Sequence, residues 1–246
     1  MKQLLQRSVQ PAWDAAWQRC ADWSGQRVAA LHPAALLDVG CGDGSFLLRY
    51  LGNWRPTLCC GVEASPQLKA AAAQRGWEVE TFDLNGRWPY ANASFDAVHC
   101  SQIIEHLHNI RLFFTELHRV LQPGGTAVIT SENLTSWLNT SAMLLGYTPF
   151  TLMRVCGWYL GNPLGLHAGE HVPEDVPLDH PAYSGVTGHI RALSVLQAEE
   201  LMTKIGFSAR VWSIGLMPLP ESLSRRLERL CPRRGHFLLI EAKRIA

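Results

Sequence analysis

Between residues 35 and 130, short apolar runs alternate with segments that have helical spacing. The apolar runs predict five strands, at residues 35–39, 57–62, 78–82, 95–100 and 126–130. Helical spacing predicts helices at residues 45–51, 67–75 and 112–121, and Ser65 followed by Pro66 is a typical helix start. Short apolar strands that alternate with helices are typical of a parallel sheet covered on both faces. The pattern therefore predicts an α/β fold.

The regions on either side of this alternation have a different character. Residues 1–34 have helical spacing, and Trp13 and Trp17 lie four apart, on one helix face. We interpret residues 1–34 as an N-terminal helical cover, packed on the core or placed over a ligand pocket. Residues 131–193 hold four of the ten histidines, several prolines and glycines, and few charges, so we interpret them as an insertion.

The C-terminal part returns to the alternating pattern. A helix is predicted over residues 194–205 and ends at Gly206. Residues 209–214 and 236–243 are two further apolar runs. They bring the number of predicted strands to seven.

Composition narrows the class of protein. Of the 246 residues 47% are hydrophobic, and Lys plus Arg (22) nearly balance Asp plus Glu (21), which leaves a net charge of +1. Nucleic-acid-binding domains are typically basic, so this balance does not favour one. We expect one domain over residues 1–246.

The cysteines and the N-terminal sequence indicate in which cellular compartment the protein is expected. The seven cysteines are an odd number without a Cys-x-x-Cys pair, which argues against a zinc ribbon and a disulfide framework. The N-terminus has no apolar signal region, and the most apolar long stretch, residues 142–160, contains Pro149 and Arg154. We therefore expect a cytoplasmic protein with no secretory signal and no transmembrane segment.

A glycine-rich loop follows the first predicted strand. Gly40, Gly42 and Gly44 come directly after it, and glycines at that point let the backbone approach a ligand closely. The nicotinamide-binding pattern G-x-G-x-x-G is incomplete, because Ser45 occupies the third glycine position. Asp38, just before the loop, points to a ligand with a cationic or ammonium group nearby.

Acidic residues also follow the second and third strands. Glu63 lies where a carboxylate can accept both hydroxyls of a ribose, and Asp83 lies where one can accept a bond from an adenine amino group. Either acid alone could be a solvated residue at a strand end. Three acids after three successive strands, counting Asp38, favour a nucleoside-containing ligand.

With these residues the chain resembles the class I S-adenosylmethionine-dependent methyltransferases, in particular the small-molecule and lipid members of types 11 and 23. The matching segments are LLDVGCGDGSF (36–46), GVEAS (61–65), FDLN (82–85), SFDAVHCSQIIEHL (94–107) and ELHRVLQPGGTAVIT (116–130). The resemblance implies a Rossmann-like, doubly wound sheet of seven strands, mostly parallel with an antiparallel last strand and one inserted lid.

The resemblance also implies where S-adenosylmethionine binds. The methionine part would lie on Asp38 and the loop, the ribose at the end of the second strand, the adenine after the third, and the sulfonium side after the fourth. The implied cofactor-binding residues are Asp38, Gly40, Cys41, Gly42, Gly44, Glu63, Ala64, Asp83, Leu84, Ser101 and Gln102.

Two histidines are possible catalytic bases. His106 belongs to a Glu-His pair that many small-molecule members of the family carry, and His189 precedes the helix over residues 194–205. Histidine has a suitable pKa for proton abstraction near neutrality. The alternatives are a packed, hydrogen-bonded His106 and a His189 that fixes the lid, while His108 is expected to face solvent.

The insertion over residues 131–193 is interpreted as an acceptor lid. Its apolar side chains could line an apolar acceptor site or touch a lipid surface, or could be ordinary core. His167, His171 and His180 within it lie in a loop with several prolines, so a polar lid is favoured over a metal site and no metal is expected. The arginine-rich stretch 218–234 could contact an acidic lipid or partner, or form a solvated helix face.

The sequence therefore predicts a methyltransferase that moves a methyl group from S-adenosylmethionine to a small-molecule, lipid-linked or glycan-like acceptor by in-line displacement. Two alternatives remain open, a nicotinamide-dependent oxidoreductase and a non-catalytic cofactor-binding module. A nucleic-acid substrate is disfavoured because the fourth strand is followed by Ser101-Gln102-Ile103 and not by an Asn-Pro-Pro-Tyr type motif.

Overall fold

A computed structural model describes residues 2–152, 154–155, 158–159, 164 and 188–245. The strands are β1 Ala35–Val39, β2 Leu58–Val62, β3 Glu78–Glu80, β4 Phe95–Ser101, β5 Leu121–Glu132, β6 Arg154–Val155, β7 Trp158–Tyr159, β8 Phe207–Ile214 and β9 Phe237–Arg244. The helices are α1 Lys2–Leu31, α2 Ser45–Leu51, α3 Pro66–Gln74, α4 Ile110–Val120, α5 Trp137–Leu144, α6 Val195–Ile205 and α7 Glu221–Glu228. Two short 3₁₀ helices span Ile104–His106 and Phe150–Leu152.

Seven strands form one sheet in the order β3-β2-β1-β4-β5-β9-β8. Strands β1 to β5 pair in parallel, and β9 runs antiparallel to both β5 and β8. The predicted fold class, a doubly wound seven-stranded sheet with an antiparallel last strand, is confirmed. The short β6 and β7 pair with each other in a separate hairpin-like ladder.

Strand boundaries differ from the predictions by two residues or more in three strands, one of which is β8, which begins at Phe207 and not at residue 209. β3 ends at Glu80 and not at residue 82, and β5 extends from Leu121 to Glu132, well beyond residues 126–130. The extension of β5 is possible because β9 continues to pair with it up to Glu132, opposite Phe237. Tertiary pairing therefore lengthens β5 into the segment that was interpreted as an insertion.

The core lies on both faces of the sheet. Leu36 of β1 packs with α2 on one face, whereas Leu37 and Val39 join the cluster under α4 on the other. Successive side chains of a strand point to opposite faces, so a strand covered on both faces is apolar throughout. This explains why the parallel strands appear in the sequence as continuous apolar runs.

Helix α1 covers one face of the sheet, as expected of residues 1–34. Its buried residues recur at helical spacing, with Val9, Trp13, Ala16 and Cys20 along one stripe. The ring of Trp13 contacts that of Phe237 on β9 at a centroid distance of 5.3 Å. The N-terminal helix is therefore part of the core, even though it precedes the first strand.

The helix starts and ends follow the local sequence. The Ser65 hydroxyl accepts the Leu68 N–H at the start of α3, and Pro66 is its first residue. Ser194 and Gln197 form a reciprocal capping box on α6, which ends at Gly206 in the left-handed region with φ 106°. These start and stop residues explain why the predicted and observed helix boundaries agree closely.

The arginine-rich stretch 218–234 contains α7, whose Arg225 pairs with Glu221. Arg234 lies over the ring of Trp137, and Arg233 is 3.6 Å from Glu199. None of the described helices combines the length and the apolarity needed to cross a bilayer. The histidines at positions 167, 171 and 180 lie outside the described residues.

Candidate active site

The glycine loop after β1 has the backbone conformation that glycine favours. Gly40, Gly42 and Gly44 have φ values of 79°, 56° and 74°. A Cβ on Gly40 would lie 2.5 Å from the Ile103 side chain, and one on Gly44 would lie 2.6 Å from Trp77. At Gly42 a Cβ would meet no other described atom within 4 Å. The loop is packed closely at both ends and faces open space in the middle, which is where a ligand could approach the backbone.

Asp38 is buried beneath this loop and bound to a histidine. Its Oδ1 accepts a hydrogen bond from His99 Nδ1 at 2.7 Å, and Nε2 of His99 lies 3.3 Å from the Ser24 hydroxyl of α1. Asp38 and His99 are directly paired positions on β1 and β4. His99 is not among the residues predicted from the sequence, and only the strand register could have indicated it, as a polar residue opposite a polar residue in two apolar strands.

Glu63 stands at the end of β2 and supports the loop. Its two carboxylate oxygens accept the N–H groups of Gly42, at 3.0 Å, and Ser65, at 2.8 Å. Each carboxylate oxygen has a further lone pair that can accept a hydrogen bond from a hydroxyl group. Glu63 can therefore fix the loop and bind a ribose at the same time, with the exposed Ala64 next to it.

Asp83 follows β3, the edge strand next to β2. It is exposed, and its Oδ1 accepts bonds from the backbone and side-chain N–H groups of Asn85, both at 2.9 Å. Leu84 is half-buried and packs against the main core. Since β1, β2 and β3 are adjacent and parallel, the structure brings Asp38, Glu63 and Asp83 to one edge of the sheet, as the sequence predicted.

The residues after β4 are held by β5. The hydroxyls of Ser101 and Thr130 share a hydrogen bond of 2.8 Å, and Gln102 Nε2 donates to the same Thr130 hydroxyl at 3.3 Å. The backbone of Gln102 is left-handed, with φ 53°. These contacts place the two predicted residues beside the glycine loop, which Ile103 touches at Gly40.

Cys41 differs from the other predicted cofactor residues because its side chain turns into the protein. Its Sγ packs so closely over β2 that a Cβ on Gly61 would lie 2.6 Å from it. Burial, together with the charges of Asp38 and Glu63, raises the pKa of the Cys41 thiol to about 12. The thiol is therefore protonated and acts as a packing group under the loop.

A cavity of about 290 Å³ lies beside the glycine loop. Helix α1 forms one wall of this cavity. The helix therefore lies over a pocket as well as on the core, which are the two placements that its sequence allowed. The Tyr50 hydroxyl donates to Asp22 at 2.6 Å and ties α1 to α2 at this wall. The lining residues are Trp17, Gln18, Ala21, Asp38, Gly40, Cys41, Phe46, Arg49, Tyr50, His99 and Ser101.

On the other side of Ser101 and Gln102, Glu105, His106 and His189 form a cluster. One metal-ligating or proton-accepting atom from each residue lies within 4.8 Å of the other two, and the imidazole rings are 4.9 Å apart in a T-shaped contact. Nδ1 of His106 donates to the Gly188 carbonyl at 3.1 Å, and Nδ1 of His189 donates to the Thr151 carbonyl at 2.9 Å. The structure thus brings together the two predicted catalytic histidines, which are 83 positions apart.

Carboxylates lie beneath these two rings. Glu105 is 1% exposed, and burial raises its pKa to about 7, an effect that the charge of nearby His189 partly offsets. Glu132, at the end of β5, lies 3.5 Å from His189 Nδ1 and 3.8 Å from His236 Nε2. Glu132 is not among the residues predicted from the sequence, because its place beside His189 depends on the extension of β5. His108 is exposed, as expected.

Comparison with known proteins shows which family the residues of this site resemble. A family model described as a methyltransferase domain matches residues 37–129, which run from β1 to β5 through the glycine loop and the strand-end acids. Residues 37–129 therefore resemble the methyltransferase domain of the class I S-adenosylmethionine-dependent methyltransferase family. S-adenosylmethionine is the cofactor that this family uses.

Two named methyltransferases are similar to part of this chain. It is 32% identical to the demethylmenaquinone methyltransferase of Deinococcus radiodurans over 132 residues, which are 51% of this chain and 53% of the relative. It is 37% identical to the ajmaline N-methyltransferase of Rauvolfia serpentina over 107 residues, 41% of this chain and 36% of the relative. The chain thus spans about half or less of the length of these relatives.

A solved structure shares the fold of this chain. The S-adenosylmethionine-dependent methyltransferase from Mesorhizobium loti superimposes with a TM-score of 0.56 at 22% identity, covering 91% of this chain and 98% of that one. The cofactor also fits the residues present: there is open space at Gly42, a cavity beside Asp38, and an acid at the end of each of three adjacent strands.

Proposed function

We propose that this methyltransferase transfers the methyl group of S-adenosylmethionine to a small-molecule acceptor by in-line displacement. The observation that carries the proposal is the left-handed glycine loop, open at Gly42, together with Asp38, Glu63 and Asp83 along one edge of the sheet. The incomplete nicotinamide motif and these three acids support this function over that of an oxidoreductase.

The proposed cofactor contacts follow from the sheet edge. Asp38 and the backbone of the loop from Gly40 to Gly44 would hold the methionine part, Glu63 with Ala64 the ribose, and Asp83 with Leu84 the adenine. Ser101 and Gln102 would face the sulfonium side. When bound, S-adenosylmethionine supplies an already activated methyl group, so the main tasks of the protein are alignment and exclusion of water.

We further propose that His106 and His189 are the catalytic residues, and that they hold the nucleophilic atom of the acceptor in line with the methyl group. Hydrogen bonds to the carbonyl groups of Gly188 and Thr151 fix the orientation of both rings through Nδ1. A rigid pair of rings supports in-line displacement, because alignment supplies much of the rate acceleration of such a step.

An apolar or lipid-linked acceptor is the class that we propose for this site. Helix α5 directly follows the site, and its C-terminal end exposes Leu144 (81%) and Leu145 (75%), next to the exposed Met143 and Tyr147. Exposed apolar patches of this kind often mark a binding surface for an apolar ligand. Nothing about the net charge of +1 favours a nucleic-acid acceptor.

We also propose a domain organisation and a cellular compartment for this protein. We propose a single domain over residues 1–246, with residues 1–34 as a cover and 131–193 as an acceptor lid, acting in the cytoplasm. The thiols support a reducing compartment, since Cys20, Cys41, Cys59, Cys60, Cys100 and Cys231 are all free.

Isothermal calorimetry with S-adenosylmethionine and with NADH tests the cofactor assignment. Gly42→Val should abolish S-adenosylmethionine binding, because the new side chain fills the open space at the loop. Gly52→Val is the matched control, since Gly52 also has a positive φ, 58°, and space around its Cβ position, but lies outside the site. We expect that control to bind as the wild type does.

Two results would contradict this proposal. Binding of NADH without S-adenosylmethionine would favour an oxidoreductase. Binding of S-adenosylmethionine without release of S-adenosylhomocysteine, across a panel of apolar hydroxyl and amine acceptors, would favour a non-catalytic binding module.

A further inference from the structure

Helix α7 turns its acidic side chains toward the protein and its arginines toward solvent. The carboxylates of Glu221 and Glu228 both face α1, where the Arg19 guanidinium lies 3.3 Å from the first and 2.5 Å from the second. Arg226 and Arg229 are exposed and form no ion pair with any described residue. The negative charge of the helix is therefore compensated by α1, while its outer side carries positive charge.

Apolar side chains share this outer side with the arginines. Leu223 is 42% exposed, and Leu230, in the turn just after α7, is 77% exposed. Leu223, Arg226 and Leu230 have the spacing of one helix stripe, whereas Ser224 is buried on the inner side. Leucine and arginine together on one exposed helix face are typical of helices that lie on a membrane surface.

Helix α5 carries a second exposed apolar stripe. Trp137 (48% exposed) and Leu144 (81% exposed) lie seven positions apart on its outer side, and Leu138 and Ala142 are buried on its inner side. The guanidinium of Arg234, four positions after Leu230, lies 5.8 Å from the centre of the Trp137 ring. This contact joins the two stripes, and tryptophan beside arginine is common where a protein meets the boundary between lipid and water.

We propose that these two helices bind an anionic lipid membrane through one docking face, which consists of Trp137, Leu223, Arg226, Arg229 and Leu230. The arginines would contact the phosphate groups of the lipids. The leucines and the indole would enter the boundary between the headgroups and the acyl chains. A nucleic acid or an acidic protein could also attract the arginines, but a lipid surface accounts for the exposed leucines as well.

The position of the docking face fits an apolar acceptor. Helix α5 begins shortly after the end of β5, where Glu132 lies 3.5 Å from His189. A lipid-linked acceptor in the membrane would therefore lie near the proposed acceptor side of the site. This link to methyl transfer rests on the proposed function, whereas the docking face itself is argued from exposure and charge.

Flotation of the full chain with lipid vesicles tests the charged part of the docking face. Vesicles that contain phosphatidylglycerol should bind the wild type, and vesicles of phosphatidylcholine alone should bind it far more weakly. Arg226→Glu should weaken binding to the anionic vesicles by at least about fivefold. Arg111→Glu is the matched control, because Arg111 is also exposed but lies on α4, which belongs to a different hydrophobic cluster from α1 and α5.

The double variant Leu223→Ser/Leu230→Ser tests the apolar part. It should bind the anionic vesicles at least about tenfold more weakly, because it removes the side chains that enter the lipid. Both leucines are exposed, so the circular dichroism spectrum and the S-adenosylmethionine calorimetry of this variant should match those of the wild type.

Three results would overturn the docking face. The first is failure of the wild type to bind anionic vesicles. The second is equal binding by the wild type and Arg226→Glu, or an equal loss in Arg226→Glu and Arg111→Glu. The third is full binding by the leucine variant, because a soluble acidic partner or a nucleic acid would then account for the exposed arginines.

The same measurements separate this proposal from the proposed function. S-adenosylmethionine binding without vesicle binding would leave the proposed function intact and remove the membrane contact. Vesicle binding without S-adenosylmethionine binding would support the docking face and contradict the proposed function.

Discussion

At the level of single residues, hydrogen bonds to the carboxylates of the site hold these side chains in place. Asp38 would be costly to bury between two strands by itself, but His99 on the neighbouring strand donates a hydrogen bond of 2.7 Å to it. Glu63 likewise accepts two backbone N–H groups that shape the glycine loop. The residues that would bind the cofactor are therefore held in place before any ligand arrives, which lowers the entropic cost of binding.

Glu228 is another partly buried carboxylate that accepts several hydrogen bonds, and it lies outside the site. Its contacts predict how the stability of the protein depends on pH. Burial would raise its pKa, but hydrogen bonds from Arg19, from the Gly215 N–H and from the Ser224 hydroxyl outweigh this and hold the pKa below its ordinary value of 4.5. A carboxylate with a lowered pKa stabilises the folded state above its ordinary pKa, and the stabilisation disappears as the pH falls through the folded-state pKa.

We therefore expect Glu228→Gln to lower the free energy of unfolding by about 1–3 kcal/mol at pH 7, and by progressively less below about pH 4. Urea denaturation of both proteins between pH 7 and pH 3 measures this difference. A difference that stays constant over the whole range would show that the charge of Glu228 does not contribute.

At the level of elements, α1 shows how a helix outside the alternating pattern becomes part of the core. It precedes β1, yet its apolar stripe packs against α5, in the middle of the chain, and against β9, at the other end. Arg19 of α1 also pairs with Glu228 of α7, and Arg27 pairs with Glu241 of β9. Helix α1 thus packs on the C-terminal strands of the sheet, and it also forms one wall of the cavity beside the glycine loop.

Trp13→Ala tests the structural part of this role. Trp13 is 9% exposed and contacts Phe237, so its truncation should lower the free energy of unfolding by about 3–5 kcal/mol. Trp54→Ala is the control, since Trp54 is 41% exposed and should cost much less. Denaturant unfolding measures both values, and equal losses would show that α1 is only a peripheral cover.

The whole molecule combines two halves of a site that lie apart in the sequence. The proposed cofactor side is built from the ends of β1 to β4 within residues 37–129, whereas the proposed acceptor side also includes His189, which lies against Glu132 of β5. Both sides meet at the carboxyl edge of the sheet because the parallel strands all end there. A ligand bound at this edge touches several elements at once and should stabilise the fold as a unit.

The expected size of that stabilisation follows from mass action. At a free S-adenosylmethionine concentration one hundred times its Kd, the free energy of unfolding should rise by about 2.7 kcal/mol. For a chain of this length, Tm should then rise by roughly 5–10 °C. Thermal unfolding with and without the ligand measures the shift, and Gly42→Val should show none. An equal shift in that variant would mean that S-adenosylmethionine binds elsewhere.

The sequence by itself determined the parallel strands, the helix starts and ends, and the glycine loop and acids to which we assign the cofactor. Each of these depends on residues that are neighbours in the chain: an apolar run of five or six residues, Ser65 with Pro66, or the glycines after β1. Local sterics and hydrogen bonding fix such features, so they are readable without knowing what packs against them.

Only the tertiary structure decided the length of β5, the pairing of His99 with Asp38, and the meeting of Glu105, His106 and His189. Each of these requires a contact between segments at least 60 positions apart, made through strand register or through packing of the lid residues on the sheet. The acceptor side therefore depends on how distant segments are brought together, and that depends on the whole fold and not on local pattern.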